Sequence, residues 1–284
     1  MANFRKCYNG TGGECIVKVT RITTQKNNNE RFSIFIDKGS GEEFGFGVDQ
    51  DVLISFGLRK GVELNDEMLE GIQFEDQIKK GMNYALNYLS YRMRSEKEVK
   101  DYLLKKEVPE EAFPKIIEKL KRYGYINDLE FAIAFVRTKI NAGGKGPFVI
   151  AQELNQKGVT KPMIDQSLEE YSYEQQLEIA KNLAEKKASK LKKSSATEQK
   201  QKVNQELRAK GFDRDIIQEV MEQINLDKGD NEEWEALVMQ AQKAERRYSK
   251  LGRREFDQKM KQFLYRKGFP FPLINKYLEE FNDQ

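Results

Sequence analysis

The sequence repeats itself four times, and this repeat limits the possible folds more than any other feature. Four segments align without gaps: Val99–Leu120, Ile150–Tyr171, Val203–Ile224 and Met260–Phe281. Their apolar residues recur at helical spacings, which keep the side chains on one face of a helix. One leucine of each segment marks the period, and these are Leu103, Leu154, Leu207 and Leu264. The pattern predicts a tandem helical repeat.

Each aligned segment contains a turn between two helices. The turn position is Glu107 in the first segment and Gly158, Gly211 and Gly268 in the others. Glycine supplies the left-handed residue that ends a helix, and the apolar residue after it packs back against that helix. A further amphipathic helix precedes each pair, so the repeating unit is predicted to have three helices.

Helix starts are predicted at capping residues, which are Ser95, Asp128, Ser172, Asp213 and Asn231. A three-helix unit this short has a marginal core of its own, so neighbouring units must stack on it. The expected fold class is therefore mainly α, with tandem three-helix repeats that form an elongated and curved body.

The first 75 residues show a different pattern. Apolar and polar residues alternate over Glu14–Thr24 and Arg31–Asp37, and Asn27-Asn28-Asn29 between them predicts a hairpin turn. Glu42–Val48 predicts a third strand, and a short helix should follow it. We expect a small β-rich domain over residues 1–75, joined to the repeats by the acidic stretch Asp66–Asp76. The repeats are then assigned to residues 76–127, 128–171, 172–228 and 229–284.

The 284 residues include no histidine, which excludes several classes of enzyme. The chain cannot form a histidine base, a Ser-His or Cys-His nucleophile pair, or a zincin motif. Cys7 and Cys15 are interpreted as reduced thiols, and two cysteines cannot build a four-ligand zinc site. We expect no catalytic residues, no metal site and no cofactor, and therefore a protein that is not an enzyme.

The chain contains no run of about eighteen apolar residues, so no transmembrane helix is expected. Residues 1–8 also lack the apolar core of a signal peptide. The predicted location is the cytoplasm.

Basic residues outnumber acidic residues in four blocks, which are 79–106, 136–161, 177–210 and 240–267. In a regular stack these blocks would form one stripe that attracts phosphates or acidic protein surfaces. An ordinary solvated helix surface is the alternative interpretation for any single block. The candidate contact residues are Tyr91, Arg92, Arg94, Arg122, Arg137, Lys139, Lys145, Arg247, Arg253 and Arg254.

Two further motifs leave alternatives open. Tyr84, Tyr88 and Tyr91 are predicted to share one helix face beside two arginines, where they could stack on bases or pack against other helices. Packing is the favoured interpretation. The segment Gly143–Pro147 resembles a phosphate-binding loop but lacks the spacing and the Ser or Thr of a P-loop. A plain loop, or a turn whose lysine contacts phosphate, is favoured there.

Several motifs taken together resemble the RecX family of recombination regulators. They are Tyr84–Leu104, the Tyr-Ile-Asn-Asp turn at Tyr125–Asp128, and the segment from Val136 through Gly146-Pro147 to Gly158. The order of the Tyr-Ile-Asn-Asp turn and the Lys-Gly-Pro loop gives the resemblance its specificity. It covers residues 80–170, and the family is described as three-helix repeats.

The resemblance implies a function in homologous recombination, DNA repair and the SOS response. RecX proteins bind the RecA filament on single-stranded DNA and inhibit its recombinase and ATPase activities, lying in the filament groove. The implied partners are therefore RecA and, weakly, single-stranded DNA; no membrane is involved, and a monomer is expected. The alternatives are a repeat module that binds single-stranded nucleic acid without RecA, and a protein scaffold that uses the acidic third helices.

Overall fold

The structure, a computed structural model, describes residues 16–26 and 28–282, with side chains up to residue 280. Cys7 and Cys15 lie outside the described residues. The strands are β1 (Val17–Gln25), β2 (Asn28–Asp37), β3 (Glu42–Asp49) and β4 (Glu63–Leu64). The chain divides into two compact units, one ending at Phe131 and the other beginning at Ala132.

The helices of the first unit are α1 (Gln50–Ser55), α2 (Asp66–Leu89), α3 (Glu96–Lys105) and α4 (Phe113–Arg122), with a 3-10 turn at Glu110–Ala112. Helix α5 (Asp128–Ala142) follows. The helices after it are α6 (Pro147–Gln156), α7 (Lys161–Leu168), α8 (Tyr173–Ser189), α9 (Ala196–Ala209), α10 (Arg214–Gln223), α11 (Asp230–Tyr248), α12 (Arg253–Arg266) and α13 (Phe271–Asn282). The predicted fold class, mainly α with three-helix repeats after a β-rich domain, is confirmed.

The N-terminal strands form an antiparallel sheet in the order β3-β2-β1-β4. The last pair of the β1–β2 hairpin joins Gln25 to Asn28, so Asn28 and Asn29 belong to β2. The prediction that these two residues form the turn is therefore wrong, and Asn27, the third predicted turn residue, lies outside the described residues. The short strand β4 was not predicted, since two residues are too few to show an alternating pattern.

Helix α2 belongs to two hydrophobic cores at once. It contains the whole acidic stretch Asp66–Asp76, so the stretch predicted to join the β-rich domain to the repeats is part of one continuous helix. Leu69 and Ile72 are buried in the core of the sheet, whereas Ile78 and Ala85 are buried in the core of the first repeat. Two of the acidic residues lie in the first turn of α2, where the helix dipole favours negative charge.

The second helix of every repeat ends in the same hydrogen-bonded turn. The turn residues have positive φ angles: Glu107 58°, Gly158 82°, Gly211 87° and Gly268 83°. In each repeat the N–H after the turn donates to the carbonyl of the marker leucine, as from Val108 to Leu103 at 3.1 Å and from Phe269 to Leu264 at 3.2 Å. The apolar residue that carries this N–H is buried in all four repeats. The predicted left-handed turn is confirmed.

Glu107→Gly is expected to stabilise the first unit by about 0.5–1 kcal/mol, because relief of a strain of about 1–2 kcal/mol is partly offset by the greater freedom of glycine in the unfolded chain. Glu107 is the one non-glycine residue with positive φ in the described part of the chain, and its Cβ is strained in that conformation. The reciprocal control is Gly158→Ala at the same position of the second repeat, which should destabilise by a similar amount. Thermal unfolding followed by circular dichroism measures both changes. A lower melting temperature for Glu107→Gly would contradict the prediction.

Helix α5 does not begin as predicted. Asn127, and not Asp128, is its N-cap, because the Asn127 side-chain oxygen accepts two backbone N–H groups of the first turn, at 3.1 and 3.3 Å. The Asp128 carboxylate instead accepts the Glu96 N–H at 2.8 Å, at the start of α3. Glu233 on α11 likewise accepts the Ala196 N–H at 3.0 Å, at the start of α9. In both cases the first helix of one repeat caps the second helix of the repeat before it.

The remaining predicted caps agree closely with the structure. Ser95 and Ser172 both form complete capping boxes, and the Asp213 side chain accepts a backbone N–H of α10. Helix α11 begins at Asp230, one residue before the predicted start at Asn231. Local sequence therefore located three of the five predicted caps correctly, and missed the case in which a cap comes from another repeat.

Asp128→Asn is expected to keep the stability of the wild type near pH 7, whereas Asp128→Ala should lose about 1 kcal/mol. The asparagine oxygen can still accept the Glu96 N–H, and alanine cannot. Burial raises the pKa of Asp128 above its ordinary value, although the hydrogen bond from Glu96 opposes this. A raised pKa means that the folded chain holds the proton longer than the unfolded chain, so stability falls as the pH rises from 3.8 through the folded-state pKa.

Urea unfolding between pH 4 and pH 7 tests this prediction. The Asp128→Asn variant cannot ionise there, so its stability should lack the decline with rising pH that Asp128 contributes. If Asp128→Asn lost as much stability as Asp128→Ala, the charge rather than the acceptor oxygen would be the stabilising feature.

Candidate binding surfaces

The predicted tyrosine face is only partly formed. Helix α2 ends at Leu89, so Tyr91 lies beyond the helix and does not share a face with Tyr84 and Tyr88. The prediction of a common face is wrong, because the helix ends before Tyr91, with Ser90 as its C-cap. Tyr91 is nevertheless 79% exposed, the largest exposure among the large hydrophobic side chains of the described residues. It remains available for contact with a partner.

The Tyr88 side chain packs within the first repeat. Its ring stacks on Tyr102 with centroids 4.0 Å apart and an interplanar angle of 6°. The Arg94 guanidinium lies 4.1 Å from the Tyr88 centroid, so both faces of this ring are covered. Arg92 is also engaged, since it donates to Glu98 at 3.2 Å and to the Met93 carbonyl at 3.0 Å. Of the predicted arginines of this region, Arg94 is therefore a packing residue and Arg92 is ion-paired.

Arg122 lies in a different environment at the end of α4. It is exposed, forms no ion pair within the described residues, and lies 5.4 Å from the Tyr123 ring centroid. Tyr123 and Tyr125 are 62% and 53% exposed, with ring centroids 6.4 Å apart. Sequence analysis selected Arg122 but not the two tyrosines. The signal that could have found them is the Tyr-Gly-Tyr sequence directly after a helix with a basic last turn.

The three predicted cations of the second repeat all have acidic partners. Arg137 donates to Glu170 at 2.8 Å, and Lys139 pairs with Glu153 at 2.9 Å. Lys145 donates to the same Glu153 carboxylate. These five side chains form two small ion-pair groups on one unit, so the local positive charge is smaller than the sequence suggested.

The pKa directions of the acidic partners agree with these contacts. The hydrogen bond from Arg137 lowers the pKa of Glu170. Burial pushes the pKa of Glu153 upward, but the hydrogen bonds from Lys145 and Lys139 outweigh it, so the pKa is lowered. Both carboxylates are therefore held in the charged form, and both ion pairs persist at neutral pH.

The predicted cations of the fourth repeat are exposed and have few acidic partners. Arg247 and Arg254 are exposed and form no ion pair within the described residues. Arg253 pairs only loosely with Asp257, at 3.9 Å. An open groove of about 700 Å³ lies here, lined by Glu245, Arg246, Ser249, Leu251, Arg253 and Phe256. This end of the unit offers cations that a partner could contact directly.

The loop Gly143–Pro147 is a joint between two repeats. The Gly146 N–H donates to the Lys210 carbonyl at 2.7 Å, and the Phe148 N–H donates to the Gly211 carbonyl at 3.1 Å. These backbone groups would have to bind phosphate in a P-loop, and here they are occupied. Pro147 at the first position of α6 has no N–H, so no carboxylate cap is needed.

A similar joint connects the third and fourth repeats. Ser195, the N-cap of α9, donates its hydroxyl hydrogen to the Lys267 carbonyl in the turn after α12. The Lys267 ammonium also lies 3.4 Å from Glu198 in the first turn of α9. In both joints the end of a second helix meets the start of the second helix of the preceding repeat, which pairs opposite ends of two helix dipoles.

Neither a metal-binding cluster nor a membrane-spanning helix is present within the described residues. No group of three or more Cys, Asp or Glu side chains is arranged to hold a metal ion. No helix of that part of the chain combines the length and apolar character needed to cross a membrane.

Sequence models of one family match the chain in consecutive segments. The regulatory protein RecX N-terminal domain matches residues 17–65, and the first and second RecX three-helix domains match residues 82–125 and 127–168. The third RecX three-helix domain matches twice, at 174–221 and 231–278. The chain belongs to the RecX family. The double match of the third RecX domain corresponds to the last two repeats of the internal alignment.

Curated RecX relatives are similar over nearly the whole chain. The regulatory protein RecX of Geobacillus sp. (strain WCH70) is 43% identical over 265 residues, which is 93% of this chain and 97% of the relative. That of Bacillus subtilis (strain 168) is 45% identical over 262 residues, with coverage of 92% and 98%. The similarity to these two relatives therefore extends over more than nine tenths of the chain.

Two solved RecX structures support the same fold. A crystal structure of regulatory protein RecX covers 73% of this chain and 100% of its own, with 35% identity and a TM-score of 0.64. A crystal structure of RecX from Lactobacillus salivarius covers 54% of this chain and 99% of its own, with 38% identity and a TM-score of 0.51. Whether the candidate contact residues form a single stripe stays a prediction, as do the exact borders of the repeats.

Proposed function

We propose that this RecX protein binds the RecA filament on single-stranded DNA and inhibits the recombinase and ATPase activities of RecA by occupying the filament groove. The observation that carries the proposal is the match of RecX domains from residue 17 to residue 278. The relatives are named regulatory proteins, which supports an action by binding rather than by chemistry. The protein would hinder the movements of RecA subunits that accompany ATP hydrolysis.

The candidate contact residues fall into two groups by their surroundings. Three arginines are exposed and form no ion pair in the described part of the chain, so a partner can bind them without breaking an existing ion pair. They are Arg122, Arg247 and Arg254. Arg137 and Lys139 already have carboxylate partners. Surface ion pairs contribute about 0–1 kcal/mol, so a partner's phosphate or carboxylate could replace Glu170, and less easily the half-buried Glu153. We propose the first group as the primary contacts and the second as exchangeable ones.

The direct test is the DNA-dependent ATPase activity of RecA with increasing amounts of this protein. We expect inhibition at micromolar concentrations, before and after assembly of the filament. ATPase activity that stays constant over that range would remove the proposal. An image of the protein bound along the filament would distinguish occupation of the groove from capping of the filament ends.

The double variant Arg247→Glu with Arg254→Glu is expected to weaken inhibition of RecA on the order of tenfold, which is about 1.4 kcal/mol. Both side chains are exposed, so helicity and melting temperature should not change. A matched control reverses Arg59 and Arg214, which are exposed, form no ion pair within the described residues and lie outside the four basic blocks. If the control weakened inhibition equally, net charge rather than the chosen surface would be responsible.

The alternative, a module that binds single-stranded nucleic acid without RecA, is supported by the exposed tyrosines beside Arg122. We propose this contact as a weak addition to RecA binding. Its affinity should fall with salt, with a slope of about −0.7 per neutralised phosphate on single strands. A pull-down of RecA with and without nuclease separates the two functions, because only a RecA contact survives removal of the nucleic acid.

A further inference from the structure

The turn after α4 holds two tyrosine rings on the surface of the first unit, on a hydrogen-bonded backbone. The Gly124 N–H donates to the Lys121 carbonyl at 2.9 Å, and the Tyr125 N–H donates to the Leu120 carbonyl at 2.8 Å. Gly124 has a φ of 74°, which this type of helix end requires. Ile126, the next residue, is 3% exposed and anchors the turn in the core.

These two rings are packed less closely than another tyrosine pair of this unit. Its other stacked tyrosines, Tyr88 and Tyr102, cover one another at 4.0 Å, whereas Tyr123 and Tyr125 meet edge to face at 61° and 6.4 Å. An edge-to-face pair leaves ring faces open on both residues. The rings are 62% and 53% exposed, and the hydrogen-bonded backbone that carries them is in place before any partner arrives. Ordering in advance lowers the entropy cost of binding.

The charge around the rings indicates the kind of partner. The last turn of α4 carries Lys119, Lys121 and Arg122. Lys121 is neutralised by Glu96 at 2.6 Å, while the Arg122 guanidinium lies 5.4 Å from the Tyr123 centroid. Open aromatic faces beside an arginine match an unpaired base with its phosphate, because the base stacks on the ring and the arginine neutralises the backbone. An apolar protein surface would gain nothing from that arginine.

We propose that Tyr123 and Tyr125 form a base-stacking site for single-stranded nucleic acid, with Arg122 contacting the adjacent phosphate. This inference rests on the proposed function, since it assigns residues to the weak contact with the single strand. The site lies in the first unit and needs no residue of the second unit. Stacking of this kind tolerates any base, so no sequence preference is expected.

The experiment measures binding of the full-length protein to a fluorescently labelled oligothymidylate by anisotropy, without RecA. Tyr123→Ala and Tyr125→Ala should each weaken binding roughly 5- to 150-fold. The phenylalanine variants at both positions should bind like the wild type, because stacking needs the ring and not the hydroxyl. The salt slope should be unchanged in the tyrosine variants and smaller in Arg122→Ala.

The matched control is the double variant Tyr265→Ala with Phe271→Ala, another exposed aromatic pair, which stacks at 4.6 Å in the fourth repeat. It should leave oligonucleotide affinity unchanged. Circular dichroism confirms folding of each variant. Alanine variants that bind the oligonucleotide like the wild type overturn the inference, and so does a wild type that does not bind it.

Inhibition of the RecA ATPase is measured in parallel to separate this inference from the proposed function. Tyrosine variants that keep oligonucleotide affinity but lose inhibition show that the rings contact protein, which overturns the stacking site and leaves the proposed function intact. A wild type that binds the oligonucleotide through the tyrosines but does not inhibit RecA supports the stacking site and removes the proposed function.

Discussion

Asp76→Ala is expected to lower the free energy of unfolding of the first unit by about 3–5 kcal/mol. The Asp76 side chain is 4% exposed and holds three groups. It accepts two hydrogen bonds from Arg31, at 3.0 and 3.1 Å, and one from the Asp49 N–H at 3.0 Å, and Lys80 lies 2.8 Å from its second oxygen. Alanine would leave the Arg31 guanidinium, itself largely buried, without its partner.

This carboxylate connects the sheet to helix α2. Arg31 lies on β2 and Asp49 ends β3, so loss of Asp76 removes polar contacts between both strands and the helix. Hydrogen exchange followed by mass spectrometry measures the effect, because it resolves the first unit from the rest of the chain. Amides of β2, β3 and the first half of α2 should lose protection, while those of the last two repeats should not.

Two further variants separate charge from hydrogen bonding at Asp76. Asp76→Asn keeps an oxygen for the Asp49 N–H and should retain part of the stability. The double variant Asp76→Leu with Arg31→Met removes both charges and should lose less than Asp76→Ala alone, because no buried charge is left unpaired. Unchanged protection of β2 and β3 in Asp76→Ala would show that the buried pair does not hold the sheet on the helix.

Gly211→Ala is expected to destabilise the second unit by about 3 kcal/mol or more. Gly211 has a φ of 87°, where a Cβ costs about 1–2 kcal/mol. A Cβ there would also lie 2.6 Å from the backbone nitrogen of Val149, which does not yield without moving α6. The shift would weaken the hydrogen bond from the Phe148 N–H to the Gly211 carbonyl. The joint between the second and third repeats should therefore open.

Two glycines of the neighbouring loop separate the two causes. Gly143 has a φ of 63° with open space around it, so Gly143→Ala should show the backbone cost alone. Gly146 has an ordinary φ of −84°, but a Cβ would lie 2.5 Å from the Gly211 carbonyl carbon, so Gly146→Ala should show the close contact alone. Thermal unfolding should rank Gly211→Ala as the most damaging and Gly143→Ala as the least. Equal effects of Gly143→Ala and Gly211→Ala would argue that the repeats do not depend on this contact.

The joint also bears on the proposed function. If binding to RecA requires several repeats at once, Gly211→Ala should weaken inhibition even though Gly211 contacts no partner. Contacts between helix ends, at Gly211 and next to Gly268, connect the second, third and fourth repeats. Without the contact at Gly211, the basic residues of the second and fourth repeats would no longer be held at fixed distances.

The sequence by itself determined the features that depend on neighbours a few residues apart. The marker leucines, the left-handed turns and the capping boxes at Ser95 and Ser172 all follow from helical spacing and from local hydrogen bonding. These interactions span at most five residues, so the pattern of residue types contains them. The family resemblance has the same basis, since its motifs are short and contiguous.

The tertiary structure decided what depends on residues far apart in the chain. The acidic stretch before Asp76 became a helix because its apolar face enters two cores and its last carboxylate binds Arg31, 45 residues away. Asp128 caps a helix whose first residue lies 32 positions earlier, and Gly146 meets Gly211 in another repeat. Contacts between distant segments also decide which cations have no ion pair and which tyrosines remain exposed. No local pattern encodes these contacts, because each requires the position of a second segment that only the folded chain supplies.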